Sequence, residues 1–458
     1  MSRRALLAVL CPVVAIALVV YAVKRPKPVG IQITPGPADT TVIDGPLDAA
    51  GLIDYETALN TRLKGLTTAD TNAVVLLLQA IGPQPEGSNL EPDVYKWLGI
   101  TPPPDEGSYL IRSAAFFGHT FIGDIPPEFR HREDALRYSP WTAEDDPKNF
   151  DWVTANEKPL AIAAEAVKRP DYFHPLIARN ANGARVSLVG VLPVKRPAFY
   201  IPLITRDADV WLAGPLLPLV QRSREIAAIL GMRVMLRCGE KKYDAAWQDV
   251  MTMHRLARLI GKGATLNELR VGFAIDALAQ DSALRLLEAA KPTAKQALAL
   301  QNELASLSPF PSLADKVDVS ERFIFLDVCQ FVRRDGAKVL KGLFNSDDLD
   351  ESPEVLAASI PRLDWNKVLR TGNGWYDRLA DALRKPGRAD RVAALKSLDA
   401  ELKGLSREPA AMGLGERLVV LFIPMSEKLS EAADRQEVWF QNELLALAQA
   451  ARSADQKK

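Results

Sequence analysis

Apolar residues in the second half of the chain recur every three or four positions, which is the period of an α-helix with one buried face. The run from Leu216 to Arg237 shows such a stripe. The next stripe consists of Tyr243, Ala246, Trp247, Val250, Met251, His254 and Ala257. A second apolar face on the same predicted helix, formed by Met253, Leu256 and Leu259, indicates that other elements cover it on two sides. Residues 216–452 are therefore predicted to form an α-helical subdomain.

Capping signals mark where several of these helices begin. Thr265-Leu-Asn-Glu268 and Thr293-Ala-Lys-Gln296 match the capping box, and Ser352-Pro353-Glu354 places proline at a first helical position. One further stripe comprises Trp365, Val368, Leu369, Gly372, Trp375, Tyr376, Leu379 and Leu383. The last helix is predicted from about Met425 to Arg452, followed by a charged tail over residues 453–458.

Proline separates the first half of the chain from the second, because 24 of the 32 prolines precede residue 220. Residues 24–66 are predicted to be a proline-rich tether, extended where prolines are frequent. Residues 67–215 are predicted to be a mixed helical and irregular subdomain, with one helix over Thr68 to Ile81 that ends at Gly82-Pro83. The apolar runs Arg185 to Leu192 and Ala198 to Ile204 suggest one small β-hairpin.

Residues 1–23 contain a segment that could cross a membrane. Ala5 to Val23 carries no charge over nineteen residues, close to the roughly 20 that span a bilayer as a helix. A cleaved signal peptide remains the alternative, although signal cores are usually about 7–15 residues long, which favours a retained anchor. Cys11 does not fit a lipoprotein site, because the bulky Leu10 precedes it. Basic residues flank both ends of the segment, so its orientation stays open.

The overall charge and the cysteine content exclude few classes of function. Basic and acidic residues number 57 each, so no general electrostatic field favours nucleic acid. Cys238 and Cys329 lie in apolar helical patterns, where a free cysteine behaves as a small hydrophobic residue, and a disulfide between them stays open.

The common catalytic signatures are missing from the sequence. It has no G-x-S-x-G elbow, no H-E-x-x-H, no C-x-x-C and no phosphate-binding G-x-x-x-x-G-K-[ST] loop. With four histidines in the chain, no metal site or cofactor is predicted. The sequence His131-Arg-Glu133-Asp134 is interpreted as a solvated loop or a helix start.

His254 is the most notable titratable residue, because it falls on the apolar stripe of its helix. A buried histidine is either a catalytic base, a switch or a hydrogen-bonded core residue. Its natural partner would be Asp276, which interrupts an apolar run on the following helix. A hairpin that turns near Lys262 would place Asp276 about five residues, or roughly 7.5 Å, beyond the level of His254. Direct contact between the two is therefore not expected, and a core role is favoured.

A third candidate residue is Asp377, which shares a helix face with Arg370, Asn373 and Asp381. Paired acids can serve hydrolysis when they converge in a cleft. On one exposed face beside arginines, they are more typical of a solvated surface. No catalytic, cofactor-binding or metal-ligating residue is therefore assigned, and His254, Asp276 and Asp377 remain candidates only.

Two resemblances concern architecture. Gly239 to Trp247 (GEKKYDAAW) resembles half of a tetratricopeptide repeat, without a second copy at the expected period. Three longer stretches resemble a family of uncharacterised, helical planctomycete proteins with a membrane or export segment: Asn72 to Pro83, Met232 to Ala277 and Ile360 to Lys385. The resemblance implies no reaction. Many members end in a Tyr-Pro-containing tail, which this chain does not show.

Together these patterns predict a mainly α protein, an irregular bundle or a solenoid-like stack of helical hairpins behind an N-terminal transmembrane helix. The expected function is that of a membrane-tethered, exported scaffold that binds an unknown protein partner. The alternative is a cell-envelope hydrolase or other enzyme with a cleft between helical layers, and a subunit of a larger membrane machine is a third possibility. Partners are the membrane, through Ala5 to Val23, and protein, with no nucleic acid.

Overall fold

The computed structural model describes residues 39–85, 89–119, 127–178, 218–336, 355, 357–405, 412–423 and 426–455. Its helices are α1 Tyr55–Lys64, α2 Ala73–Ile81, α3 Pro92–Leu98, α4 Ser113–Phe116, α5 Pro127–Tyr138, α6 Pro147–Ala155, α7 Glu157–Ala166, α8 Pro218–Gly239, α9 Tyr243–Gly261, α10 Leu266–Ala290, α11 Ala294–Ala305, α12 Leu313–Asp315, α13 Arg322–Asp335, α14 Trp365–Leu383, α15 Arg388–Leu405, α16 Leu414–Phe422 and α17 Ser426–Asp455. A π-helix, Lys316–Glu321, joins α12 to α13, and a 3₁₀ turn, Ile360–Arg362, precedes α14.

The described part of the chain is mainly α-helical, which confirms the predicted fold class. Within these ranges no β-strand forms, and only two isolated bridges occur, Leu47 with Ile53 and Asn72 with Asp171. The antiparallel pair α9–α10 makes the largest helix contact, α8 packs against both members, and α17 lies along α10 and α11. The two capping boxes at Thr265 and Thr293 are confirmed.

One continuous apolar core runs through both predicted subdomains. Val74 of α2 and Leu230 of α8 belong to the same cluster as Phe325 of α13 and Trp365 of α14. The change in proline content near residue 216 therefore does not mark a boundary between two cores. Trp365 is fully buried and Trp375 nearly so, as expected for core positions on the α14 stripe.

The predicted tether over residues 24–66 needs correction at its described end. Helix α1 begins after Asp54, whose side chain accepts a hydrogen bond from Thr57 N, and it buries Tyr55 and Leu59 completely. The helix escaped prediction because only these two core positions are large and apolar, while Glu56 and Asn60 are buried but polar. Residues 39–66 thus belong to the helical body.

Buried amide side chains hold the extended segments of this helical protein. Asn60 accepts from Leu176 N at 2.9 Å and donates to Leu176 O at 2.8 Å. Three other amides bond both backbone groups of one residue in the same way, namely Asn72 with Phe173, Asn156 with Ile111 and Gln330 with Ile53. Each pair reproduces the two hydrogen bonds that a neighbouring β-strand would otherwise supply.

Helix α2 begins at Ala73 rather than at Thr68 as predicted, because Asn72 caps it by accepting from Val74 N. It ends at Ile81, before Gly82, as predicted. Cys238 and Cys329 are both buried and unpaired. The stretch that resembles half of a tetratricopeptide repeat forms the turn between α8 and α9, where Ala246 is fully buried.

Several predicted features lie outside the described residues. They are the segment Ala5 to Val23, the hairpin over residues 185–204 and the cap at Ser352. Among the residues that the structure describes, no helix is both long and apolar enough to span a membrane.

Candidate functional site

The α9–α10 hairpin brings His254 and Asp276 together, contrary to the expectation from the sequence. Their side chains meet at 2.7 Å, between Nδ1 and Oδ1. Gly272 lies against Ala257, so closely that a Cβ atom on Gly272 would come within 2.6 Å of the carbonyl oxygen of Ala257. Both contacts place the turn of the hairpin near Thr265, three residues beyond the expected pivot.

Both ring nitrogens of His254 are hydrogen-bonded to carboxylates. Nδ1 donates to Asp276 of α10, and Nε2 donates at 3.3 Å to Oε1 of Glu443 of α17. With both carboxylates ionised, each ring nitrogen must carry a proton, because an ionised carboxylate only accepts. Burial opposes a charged ring, but Glu443 and Asp276 outweigh that effect and raise the pKa of His254 to about 9. The ring is accordingly an imidazolium at neutral pH.

Asp276 is the centre of the surrounding polar contacts. Its Oδ1 also accepts from Arg258 Nη1 at 2.6 Å, and its Oδ2 accepts from Gln280 and Gln436, each at 2.9 Å. Burial would raise the pKa of this carboxyl, but His254 and Arg258 hold it well below its usual value. We call His254, Arg258, Asp276, Gln280, Gln436 and Glu443 the histidine cluster.

The histidine cluster is closed to solvent and carries balanced charge. His254 and Asp276 are 0% exposed, and Glu443 is 1% exposed. Two cations face two anions, which is how buried charge is usually tolerated. The second carboxylate oxygen of Glu443, Oε2, has no hydrogen-bond partner within the described residues. The cluster joins three helices, α9, α10 and α17, around one histidine.

The turn between α9 and α10 is held by the π-helix. Lys316 Nζ donates to the carbonyls of Lys262 and Gly263, and Glu321 accepts from Leu266 N at 3.0 Å. Residues five apart point to different sides of an α-helix with about 3.6 residues per turn. The π-helix, bonded i to i+5, brings Lys316 and Glu321 toward one side. Burial lowers the pKa of Lys316 to about 8, although Glu268 opposes the change.

A second buried ion-pair group connects α8 to α9. Asp249 accepts two hydrogen bonds from Arg233, at 2.6 Å and 3.0 Å, and a third from Arg237 at 2.6 Å. Burial raises the pKa of Asp249 despite these two arginines. This group faces the neighbouring helix and has a structural role, since it fixes the position of α9 on α8.

A cavity of about 510 Å³ adjoins the histidine cluster. Arg258 and Gln436 belong both to the cluster and to the cavity wall. The guanidinium of Arg258 lies between the rings of Phe310 and Phe440, 5.0 Å and 5.1 Å from their centres. The other lining residues are Phe273, Leu307, Ser308, Pro309, Pro311, Ser312, Leu313, Ala314, Leu383, Arg391, Ala433, Asp434 and Glu437. His254 itself does not line the cavity.

Asp377 takes no part in the histidine cluster. Its carboxylate, with 63% of the side chain exposed, accepts from Arg322 at 2.6 Å. Two members of the same helix face have other roles, because Arg370 pairs with Asp39 and Asn373 donates to the carbonyls of Asp39 and Thr40. Asn373 is only 6% exposed, so the predicted solvated face is instead partly covered by residues 39–40.

Sequence reasoning missed Glu443 and Gln436, although a signal was available. Both residues fall on the buried stripe of α17, in register with Phe440 and Leu447. An acid or amide at such a position indicates a buried polar partner elsewhere. Arg258, four residues after His254, falls on the same helix face and offered a signal of the same kind.

Comparisons with family models, with curated proteins and with solved structures find no match. No group of three potential metal ligands occurs in the parts of the chain that the structure describes. The chemistry of the histidine cluster and its cavity therefore rests on their geometry.

Proposed function

We propose that this protein is a non-catalytic, membrane-tethered helical body that acts as a scaffold for other proteins. The observation that carries this proposal is the state of His254, the best candidate base in the sequence. Both of its ring nitrogens are hydrogen-bonded to carboxylates, and the ring is fully buried. The residue thus ties three helices together and has no free nitrogen for a substrate.

The hydrolase alternative has less support from the same geometry. A general base needs an accessible lone pair within hydrogen-bond reach of the substrate proton. His254 offers none, and Asp276 is already bonded to four side chains. Asp377 is exposed, but it pairs with Arg322 of α13, and neither residue lines the cavity. These observations favour a structural role for all three candidates.

The proposed location comes from the sequence. Ala5 to Val23 would anchor the chain, and the helical body would lie on the exported side of the membrane. We also propose the relationship to the helical planctomycete family, which carries no implied activity. An extended tether before residue 39, at about 3.1 Å per residue, would hold the body up to several tens of ångströms from the bilayer.

Membrane fractionation of cells that express the full chain tests the tether. The protein should remain in the membrane pellet after alkaline carbonate washing, and a variant that lacks residues 5–23 should move to the soluble fraction. Recovery of the untruncated protein entirely in the cytosolic fraction would contradict the proposal.

In-cell chemical cross-linking tests the scaffold role. The anchored chain should give discrete higher-mass products that contain a second protein, and these should also form with the Asp377→Asn variant. Recovery of the cross-linked chain as a monomer only, across a range of reagent concentrations, would count against a scaffold.

A further inference from the structure

We propose that the cavity beside Arg258 binds a small carboxylic acid with an aromatic or otherwise apolar body. This goes beyond the proposed scaffold role and does not depend on it. The volume of about 510 Å³ lies in the usual range for small-molecule sites, roughly 300–1,000 Å³. Such sites combine mostly apolar walls with a few placed polar groups.

The walls fit a flat or branched apolar group. Phe273, Phe310 and Phe440 contribute rings, and Phe273 stands edge-on to Phe310 with centres 5.0 Å apart. Pro309 and Pro311 stiffen the loop that carries Phe310, so this wall is preformed. A preformed apolar wall binds without the cost of ordering flexible side chains.

The polar floor fits a carboxylate. Nε of Arg258 donates a hydrogen bond to the carbonyl of Ser308. Its Nη1 donates to Asp276 and to the carbonyl of His254. Its Nη2 makes no hydrogen bond to any residue in the described ranges, and the side chain is 6% exposed. A guanidinium with free N–H groups in a desolvated site is a strong carboxylate donor. Gln436 also lines the cavity, and its amide nitrogen donates a hydrogen bond to Asp276.

The acids around the cavity already have hydrogen-bond partners, whereas Nη2 of Arg258 has none in the described ranges, so an acid is favoured over an amine as the ligand. Asp276, which balances Arg258, is 0% exposed and lies behind the guanidinium. Asp434 on the wall is held between Arg391 at 2.6 Å and Arg388 at 3.2 Å, so two cations face one acid there. Glu437 is the remaining acid of the wall; it is exposed and accepts from Gln441.

Isothermal titration with three ligands that share one body tests the head group. The probes are 1-naphthaleneacetate, its neutral amide and 1-naphthylmethylamine, each added to the purified full chain. We expect the carboxylate to bind at least tenfold more tightly than the amide, and the amine to give no heat above dilution. No binding of the carboxylate, or equal binding of carboxylate and amide, would overturn the proposal.

A cavity-filling variant tests the location. Ala433→Phe places a ring in the open volume and should weaken binding of the carboxylate at least tenfold. Leu445→Phe introduces the same ring on the same helix at a position that is 57% exposed, so it should leave the affinity unchanged. Unchanged affinity in Ala433→Phe, with a native circular dichroism spectrum, would place the binding elsewhere and refute this site.

Discussion

At the scale of single residues, the site consists of buried charges that compensate one another. His254 and Arg258 are balanced by Asp276 and Glu443, and all four side chains are nearly or completely buried. Removing one partner of such a group leaves an uncompensated buried charge, which is far more costly than losing an exposed ion pair. Substitution therefore distinguishes a buried candidate such as Asp276 from the exposed candidate Asp377.

The Asp276→Asn variant should lower the free energy of unfolding by about 3–5 kcal/mol, because His254 and Arg258 lose their shared anion. Asp377→Asn makes the same chemical change at an exposed carboxylate, and it should cost no more than about 1 kcal/mol. Urea unfolding of both variants measures the difference. Equal losses would show that the histidine cluster is not the buried network described above.

Stability should fall above neutral pH because of His254. Its pKa in the folded protein is about 9, above the 6.5 of an ordinary histidine, so its contribution is complete below pH 6.5 and is lost as pH rises through 9. Lys316 has the opposite effect. Because its pKa is lowered to about 8 in the folded protein, its contribution to stability rises as the pH increases above 8. The free energy of unfolding of the native chain in urea, minus that of the His254→Gln variant, gives the contribution of the histidine at each pH. A difference that stays constant from pH 6 to 10 would contradict the raised pKa.

At the scale of elements, close helix contact and amide side chains set the geometry of the site. The capping box at Thr265 and the stripe on α9 were predictable, because they follow local spacing rules. The register of the α9–α10 hairpin was not. It depends on Gly272 allowing backbone contact and on Lys316 holding the turn from 54 residues away in sequence. Neither effect leaves a periodic signal.

A glycine comparison tests the close approach of α9 and α10. Gly272→Ala should destabilise the fold by about 1–3 kcal/mol, because its Cβ would lie 2.6 Å from the carbonyl of Ala257. Gly374→Ala, in α14, has no neighbouring atom within 4 Å and should stabilise by up to about 1 kcal/mol through helix propensity. Thermal unfolding should give shifts of opposite sign. A stabilising Gly272→Ala would rule out the close packing.

The amide pairs give a second element-scale prediction. Asn60→Ala leaves two backbone groups of Leu176 without partners, at about 1–3 kcal/mol for each buried group. Amide hydrogen exchange at Leu176 should accelerate together with the loss of stability. Asn442→Ala, on the exposed side of α17, is the matched control and should change neither quantity. Protection at Leu176 that survives Asn60→Ala would show that another group holds this segment.

At the scale of the whole molecule, the histidine cluster connects the last helix to the centre of the body. Glu443 and Gln436 of α17 reach His254 and Asp276 across more than 150 residues of sequence. A single sequence predicts that α17 exists, from its apolar stripe, but not which helices it covers. The fold class was accessible to periodicity alone, whereas the partners of His254 required the tertiary structure.

Selective ¹⁵N labelling of the four histidines provides the most direct test of the central claim, that His254 is a locked imidazolium. Nuclear magnetic resonance spectra at pH 7.5, with His254→Gln for assignment, report whether each ring nitrogen carries a proton. We predict that both nitrogens of His254 are protonated at that pH, and that the ring titrates near pH 9. A neutral ring with one bare nitrogen at pH 7.5 would contradict the account and would reopen a catalytic role for His254.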